Sequence, residues 1–330
     1  MNRQAPRLWL VCGLFLLVSA ALAVWALGLG AVPLSVAQVA DALLGHAPRN
    51  VSLIVVEWRL PRVAMALLLG AALGVSGAIF QSLMRNPLGS PDVMGFNTGA
   101  WSGVLVAMVL FGQLQTAIAA AAMAGGILTS LAVWALAWRN GIDTFRLIII
   151  GIGLRAMLVA FNTWLLLHAS LETAMSAGLW NAGSLNGITW SKTFPAAPLM
   201  LLALMAAAML VRRMRLLEMG DDSACALGVP VERSRLLLML TAVVLTAAAT
   251  ALAGPISFIA LVAPHIARRL SRTARWGLFQ SALCGALLLL AADLGAQYLF
   301  APYQLPVGVV TVSLGGIYLI ALLIQESRKR

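Results

Sequence analysis

The chain has 330 residues, of which 62% are hydrophobic and only 10% charged, against roughly 25% charged in ordinary soluble domains. That composition excludes a soluble globular enzyme and fits an all-α polytopic membrane protein, since each span takes about 20 apolar residues. The net charge of +11 comes without any aromatic-basic stripe or nucleic-acid motif, so it reports membrane topology rather than a nucleic-acid partner.

The chain opens on "MNRQAPR" and an apolar run from Leu8 to Leu27, too long for a signal peptide and without a convincing cleavage site. It reads as a retained first helix. Apolar runs bounded by charges or by Pro and Gly predict further helices over 62–84, 93–111, 116–137, 146–167, 194–211, 236–253, 277–298 and 308–324, beside the first over 8–28. The segment 258–270 follows "AGP" and contains Pro264, so it is expected to be a short, broken tenth span shielded by its neighbours. Ten spans make one transmembrane domain over 1–330 with both termini on one side. With the N-terminus in the cytoplasm, only Arg49, Arg59, Arg62 and Lys192 of the 22 basic residues lie outside, and Arg155 lies within a span. The remaining seventeen lie inside, as the positive-inside rule requires. The long segments 29–61 and 168–193 are then periplasmic, the second suited to an interfacial turn or short helix, and 212–235 is cytoplasmic.

Few residues offer chemistry. "GVSG" over 74–77 places Ser76 in a membrane helix, where a protease would need a histidine against it, and His265 is the one candidate; small residues that let helices approach are the alternative. There is no G-x-x-x-x-G-K-[ST] and there are only two lysines, Lys192 and Lys329, so any ATP hydrolysis belongs to another chain. The cysteines Cys12, Cys225 and Cys284 are too far apart for a CxxC or metal spacing. No disulfide, metal or cofactor is expected. In "RRMRLLEMGDDSACALGVPVERSR", Gly220 stops a run that Asp221 and Asp222 can restart and Gly228 with Pro230 ends, which reads as two short helices around a turn. Small and apolar residues among the charges offer a grip to another protein. Arg155 lies about nine residues into its span, roughly 13 Å deep, where a charge marks a pathway or a partner; snorkelling or a structural pair with Asp293 is the alternative. Pro61 suits the first position of a helix, which would leave Arg62 in a first turn where the macrodipole disfavours a cation. Arg59 and Arg62 thus stand against both topology and dipole, either neutralised by Glu57, anchored at lipid headgroups, or kept to dock an acidic protein.

These residues carry a resemblance to the iron-chelate and vitamin B12 permeases of bacterial ABC importers. The motifs are "RLPR" (59–62), "GAALGVSGAIFQSLMRNPLGSPDVMGFNTGA" (70–100), "GLWNAGSL" (178–185), "LLEMGDDSACALGV" (216–229), "GPISFIALVAPHIARR" (254–269) and "LPVGVVTVSLGG" (305–316). The match covers nearly the whole chain. The resemblance implies the type II ABC importer permease fold in the bacterial inner membrane. Its partners would be a second permease subunit, two copies of a cytoplasmic ATPase and a periplasmic binding protein. Its cargo would be a ferric siderophore, and "EWRLPRV", "AWRNGIDTFRLIIIGIG" and "YQLPVGVV" point within the family to ferric enterobactin. By the same resemblance, Arg59 and Arg62 meet acids on the binding protein, while a third docking arginine of the B12 member aligns near Gln297. Leu216, Glu218, Gly220, Asp221, Asp222, Ala226, Leu227 and Gly228 take the ATPase, and Asn86, Pro87, Leu88 and Thr144 lie near the cytoplasmic gate. Arg155 would suit the path of an anionic catecholate complex. An ion-coupled secondary carrier and a permease for another ferric siderophore are the alternatives.

Overall fold

The computed structural model describes residues 4–138, 144–273 and 275–327. Its elements are helices: α1 (Gln4–Gly28), α2 (Val36–Leu43), α3 (Arg49–Ser52), a π-helical turn (Leu53–Arg59), α4 (Leu60–Met84), a 3-10 turn (Pro91–Met94), α5 (Phe96–Phe111), α6 (Gln115–Ala137), α7 (Thr144–His168), α8 (Leu171–Asn181), α9 (Trp190–Leu217), α10 (Asp221–Ala226), α11 (Val231–Ala253), α12 (Ile259–Ser271), α13 (Leu278–Tyr298) and α14 (Val307–Ser327). Among the described residues seven helices are long and apolar enough to cross a membrane, and Phe96–Phe111 and Val307–Leu322 are shorter apolar ones. The 13-residue α12 stands where the short tenth span was expected, so that the helices number about ten crossings.

Polar contacts sort the helix ends into two sets. At one end Arg59 reaches Leu27 O, Trp190 Nε1 reaches Val56 O and Ser184 N reaches Ala253 O. At the other, Arg85 meets Asp221 and Arg7 Nε reaches Leu270 O. Successive crossings therefore run antiparallel, with α8 at the first end and α10 at the second.

α4 is the central helix. About 78% of its apolar window is buried, against 17% for α7 and 11% for α9, and it packs against α13, α11 and α12. Glycine permits the closest approach: a Cβ on Gly70 would lie 2.3 Å from Gly285 O, and one on Gly74 2.2 Å from Ser281 O. Between membrane helices, such contact of backbones supplies the dispersion energy that apolar burial cannot, because lipid is as apolar as leucine.

The sequence expectations fail mainly at helix ends. The segment 29–61 holds α2, α3 and the π turn, and α2 begins with a reciprocal cap between Ser35 and Gln38, the S-x-x-Q signature of a helix start. α9 runs six residues past the predicted 211 to Leu217, because Arg212, Arg213 and Arg215 are exposed and end the apolar run without ending the helix. That extension absorbs the first of the two short helices expected near 216. Only α10 stands alone.

Candidate functional site

At the α8 end, α3, the π turn and α4 form one uninterrupted helical run, Arg49–Met84. Pro61 has no N–H to donate, and the preceding π turn absorbs the missing bond: Leu60 N–H bonds to Val55 O, five residues back. Arg62 is therefore a mid-run residue. The macrodipole penalty expected from the sequence does not apply, since no free helix start lies there.

Arg62 holds Asp293 of α13 bidentately, Nε to Oδ2 at 2.9 Å and Nη2 to Oδ1 at 2.8 Å. Asp293 is buried, and Gln297 Nε2 donates to its Oδ2 at 2.8 Å. The position where the resemblance puts a third arginine thus joins the same network. Glu57, the neutraliser expected from sequence, stays exposed and forms no ion pair among the described residues. Arg59 is half-buried and donates to Leu27 O at 2.8 Å and Val32 O at 2.7 Å, stitching the chain after α1 to α4. Both guanidiniums line an open cleft of about 330 Å³ with Asp293, Gln297 and Tyr298.

Nearby, three of the resemblance motifs meet. Gly308 N donates to Gly183 O at 3.0 Å. Gly183, at φ +68°, lies so close to Pro255 that a Cβ there would be 2.4 Å from its carbonyl oxygen.

At the α10 end, the turn between α9 and α11 is bound to α4. Asp221 Oδ1 accepts from Arg85 Nη2 at 2.8 Å and from Arg235 Nη2 at 2.7 Å. Arg85 Nη2 also reaches Leu217 O at 3.1 Å. Ser82 Oγ donates to Glu218 Oε1 at 2.8 Å. Burial pushes the Glu218 carboxyl above its ordinary range; the Ser82 bond, a bond from the Trp276 backbone, and Arg275 and Arg215 oppose that rise. Of the residues expected to grip another protein, Glu218 and Asp221 thus point into this chain and Leu216 is half-buried, whereas Asp222, Ala226, Leu227 and Gly228 are exposed. Gly220 at φ +112° and Gly228 at φ +78° supply the left-handed turns that set α10 off from its neighbours.

Arg85 sits at φ 48° and closes α4. Directly after it, Asn86 Oδ1 accepts from Leu88 N at 2.9 Å, and Pro87 and Leu88 are exposed. The expected gate segment is therefore the next turn of chain beyond the residue that holds Asp221. Thr144 opens α7; its side chain lies outside the described residues.

Arg155 is exposed on α7 and packs its backbone against Gly95, where a Cβ would lie 3.3 Å from that of Arg155. The sequence-based pairing with Asp293 does not occur, because Arg62 holds that carboxylate. Arg155 acts electrostatically on Asp92, whose Oδ1 accepts from Asn97 Nδ2. Asp92 escaped the sequence reading; its signal was an acid directly after Pro91 at a helical start. Ser76 is fully buried, bonded at 2.8 Å to both Ala242 O and Thr246 Oγ1, and Gly77 beside it could not hold a Cβ against Ala260 O. His265 pairs instead with Tyr318. The GVSG stretch is a packing motif, and no base among the described residues faces its serine. Among the described residues no group of three or more His, Cys, Asp or Glu could hold a metal ion.

Residues 16–325 match the model of the FecCD transport family. The chain is 79% identical to the ferric enterobactin transport system permease protein FepG of Escherichia coli, with 98% of each chain covered. It is 38% identical to the achromobactin transport system permease protein CbrC of Dickeya dadantii, covering 95% of this chain and 90% of that one. A solved structure of an inward-facing metal-chelate type ABC transporter superposes with a TM-score of 0.83 at 27% identity, covering 96% of this chain and 99% of that one. Family model, relatives and superposition agree across nearly the full length, and the chain belongs to the FecCD transport family.

Proposed function

We propose that this chain is the membrane-spanning permease of an ATP-driven importer that carries ferric enterobactin across the bacterial inner membrane by alternating access. Its partners are a second permease subunit, two copies of a cytoplasmic ATPase and a periplasmic binding protein. The α10 end and both termini face the cytoplasm, and 1–330 forms one transmembrane domain.

The clamp at α10 carries the ATP-driven reading. An ATPase that grips the exposed face of Asp222, Ala226, Leu227 and Gly228 moves α10. Asp221 and Glu218 pass that movement to Arg85 and Ser82 at the end of α4, and so to Asn86, Pro87 and Leu88. Opening and closing of the inner gate then follow the nucleotide state of another chain. The cargo is taken from the relative that shares 79% identity. With no cluster among the described residues to take a bare ion, iron travels wrapped in its chelator. Arg155, deep on an exposed face of α7, gives an anionic chelate a cation on its path, since a charge at that depth is costly against lipid. Arg59 and Arg62 form the docking contact for the binding protein through the N–H groups that Leu27, Val32 and Asp293 leave free.

Uptake of labelled ferric enterobactin, another ferric siderophore and vitamin B12 into proteoliposomes of the reconstituted complex tests the reading. Ferric enterobactin is expected to enter and B12 to stay out. Arg155→Ala is expected to slow uptake in a complex that still assembles, and Arg59→Gln to weaken binding-protein association and flatten its salt dependence. Uptake confined to a different chelate would overturn the cargo. Wild-type uptake by Arg155→Ala, or unchanged salt dependence in Arg59→Gln, would overturn those roles.

A further inference from the structure

Where α12 ends against α14, a recess of about 270 Å³ is lined by His265, Arg268, Arg269, Arg272, Thr273 and Gln325 among others. No described carboxylate lines it. The last turn of a helix favours cations by about 0.3–1 kcal/mol each, which accounts for arginines in this stretch but not for their gathering around one concavity. Arg269 is tied to Gln325 and Tyr318. Arg268 lies over Trp276, its Cζ 4.1 Å from the ring centre, and its guanidinium N–H groups find no acceptor among the described residues. Arg272 is exposed, held in the left-handed region at φ 50° as the cap of α12, and its guanidinium likewise has none. Arg7 brings a further cation from α1 to the same helix end, through Leu270 O at 3.0 Å. Like charges held together with no described carboxylate among them repel, and a multivalent oxyanion seated there removes that repulsion while accepting the N–H groups that have no acceptor among the described residues.

We infer that this recess binds a phosphate group. Its place at the end of membrane-crossing helices, level with the turns that follow them, is the level of lipid phosphates. The same chemistry would also accept a free phosphate ion. The cargo path and the α10 clamp use none of these residues, so the inference stands apart from the transport reading.

The test uses the full chain in phosphatidylcholine nanodiscs with and without phosphatidylglycerol, reading the lipids retained by native mass spectrometry, with inorganic phosphate titrated in parallel. The recess variant is Arg268→Gln/Arg272→Gln. The control, Arg212→Gln/Arg213→Gln, removes two cations from the same end outside the recess. Retained phosphatidylglycerol that falls about ten-fold in the recess variant, equivalent to about 1.4 kcal/mol, and holds in the control supports a lipid headgroup. Saturable phosphate binding lost in the recess variant supports a free anion. Should the double variant fail to fold, Arg272→Asn alone, at an exposed left-handed position that asparagine accepts, is expected to lower retention in the same direction. Equal retention and equal phosphate binding in wild type, recess variant and control would overturn the site.

Discussion

At the residue scale, the pair Arg62 and Asp293 shows how misleading an isolated charge can be. Sequence placed Arg62 on the wrong side of the charge rule and in a costly helix position. The structure gives it a buried carboxylate 231 residues away in the chain, a partnership that no local pattern encodes. Removing one member leaves the other buried and unpaired, a loss of about 3–5 kcal/mol, whereas replacing both with apolar residues of similar size is often neutral or better. Asp293→Leu alone is therefore expected to lower the thermal midpoint of the purified chain sharply, and Arg62→Met/Asp293→Leu to restore most of it. Glu218 makes a second prediction. Its folded-state carboxyl is raised above the ordinary 4.5, so the folded chain holds that proton more tightly than the unfolded one. Its contribution is greatest below the ordinary value and falls as pH rises through the raised one. Thermal midpoints measured against pH should decline across that window for the wild type and less for Glu218→Gln.

At the element scale, apolar runs made the crossings legible, because about 20 residues without charge have few other uses. Helix ends were less legible. The arginines after 211 end hydrophobicity but leave backbone hydrogen bonding intact, so α9 continues. Pro61 looked like a start because prolines favour first turns, yet a π turn lets the run Arg49–Met84 pass through it. The turn and short helix between α9 and α11 were legible from their glycines and acids, but the direction those acids face was not, since Arg85 and Arg235 come to Asp221 only through the packing of α4 against α11. That geometry distinguishes transmission from contact. Asp221→Asn is expected to leave the complex assembled and hydrolysing ATP while uptake falls by roughly ten-fold, the effect of about 1.4 kcal/mol on a barrier. Paired ATPase and uptake rates on one preparation check it, and a proportional fall in both would return Asp221 to a simple contact role.

At the scale of the whole molecule, the arrangement separates a rigid centre from two working ends. α4 and α13, joined backbone to backbone at Gly70, Gly74 and Gly285 and by Arg62 and Asp293 at the α8 end, leave little room for internal movement. The lightly buried α7 and α9 leave most of their apolar surface uncovered within this chain, and under the proposed function these are the faces open to a second subunit and to the cargo. An ion-coupled carrier would instead need a titratable carboxylate free to exchange its ion within the spans; among the described residues Asp293 is held by a guanidinium and an amide, and Asp92 accepts from Asn97 and faces the charge of Arg155. The central claim, that transport is driven by ATP through α10, is tested most directly by uptake of ferric enterobactin into proteoliposomes in which ATP and the ion gradients are varied independently. The account predicts uptake that requires the ATPase and hydrolysable ATP and survives collapse of the gradients; uptake that proceeds without the ATPase and stops when the gradients collapse would contradict it.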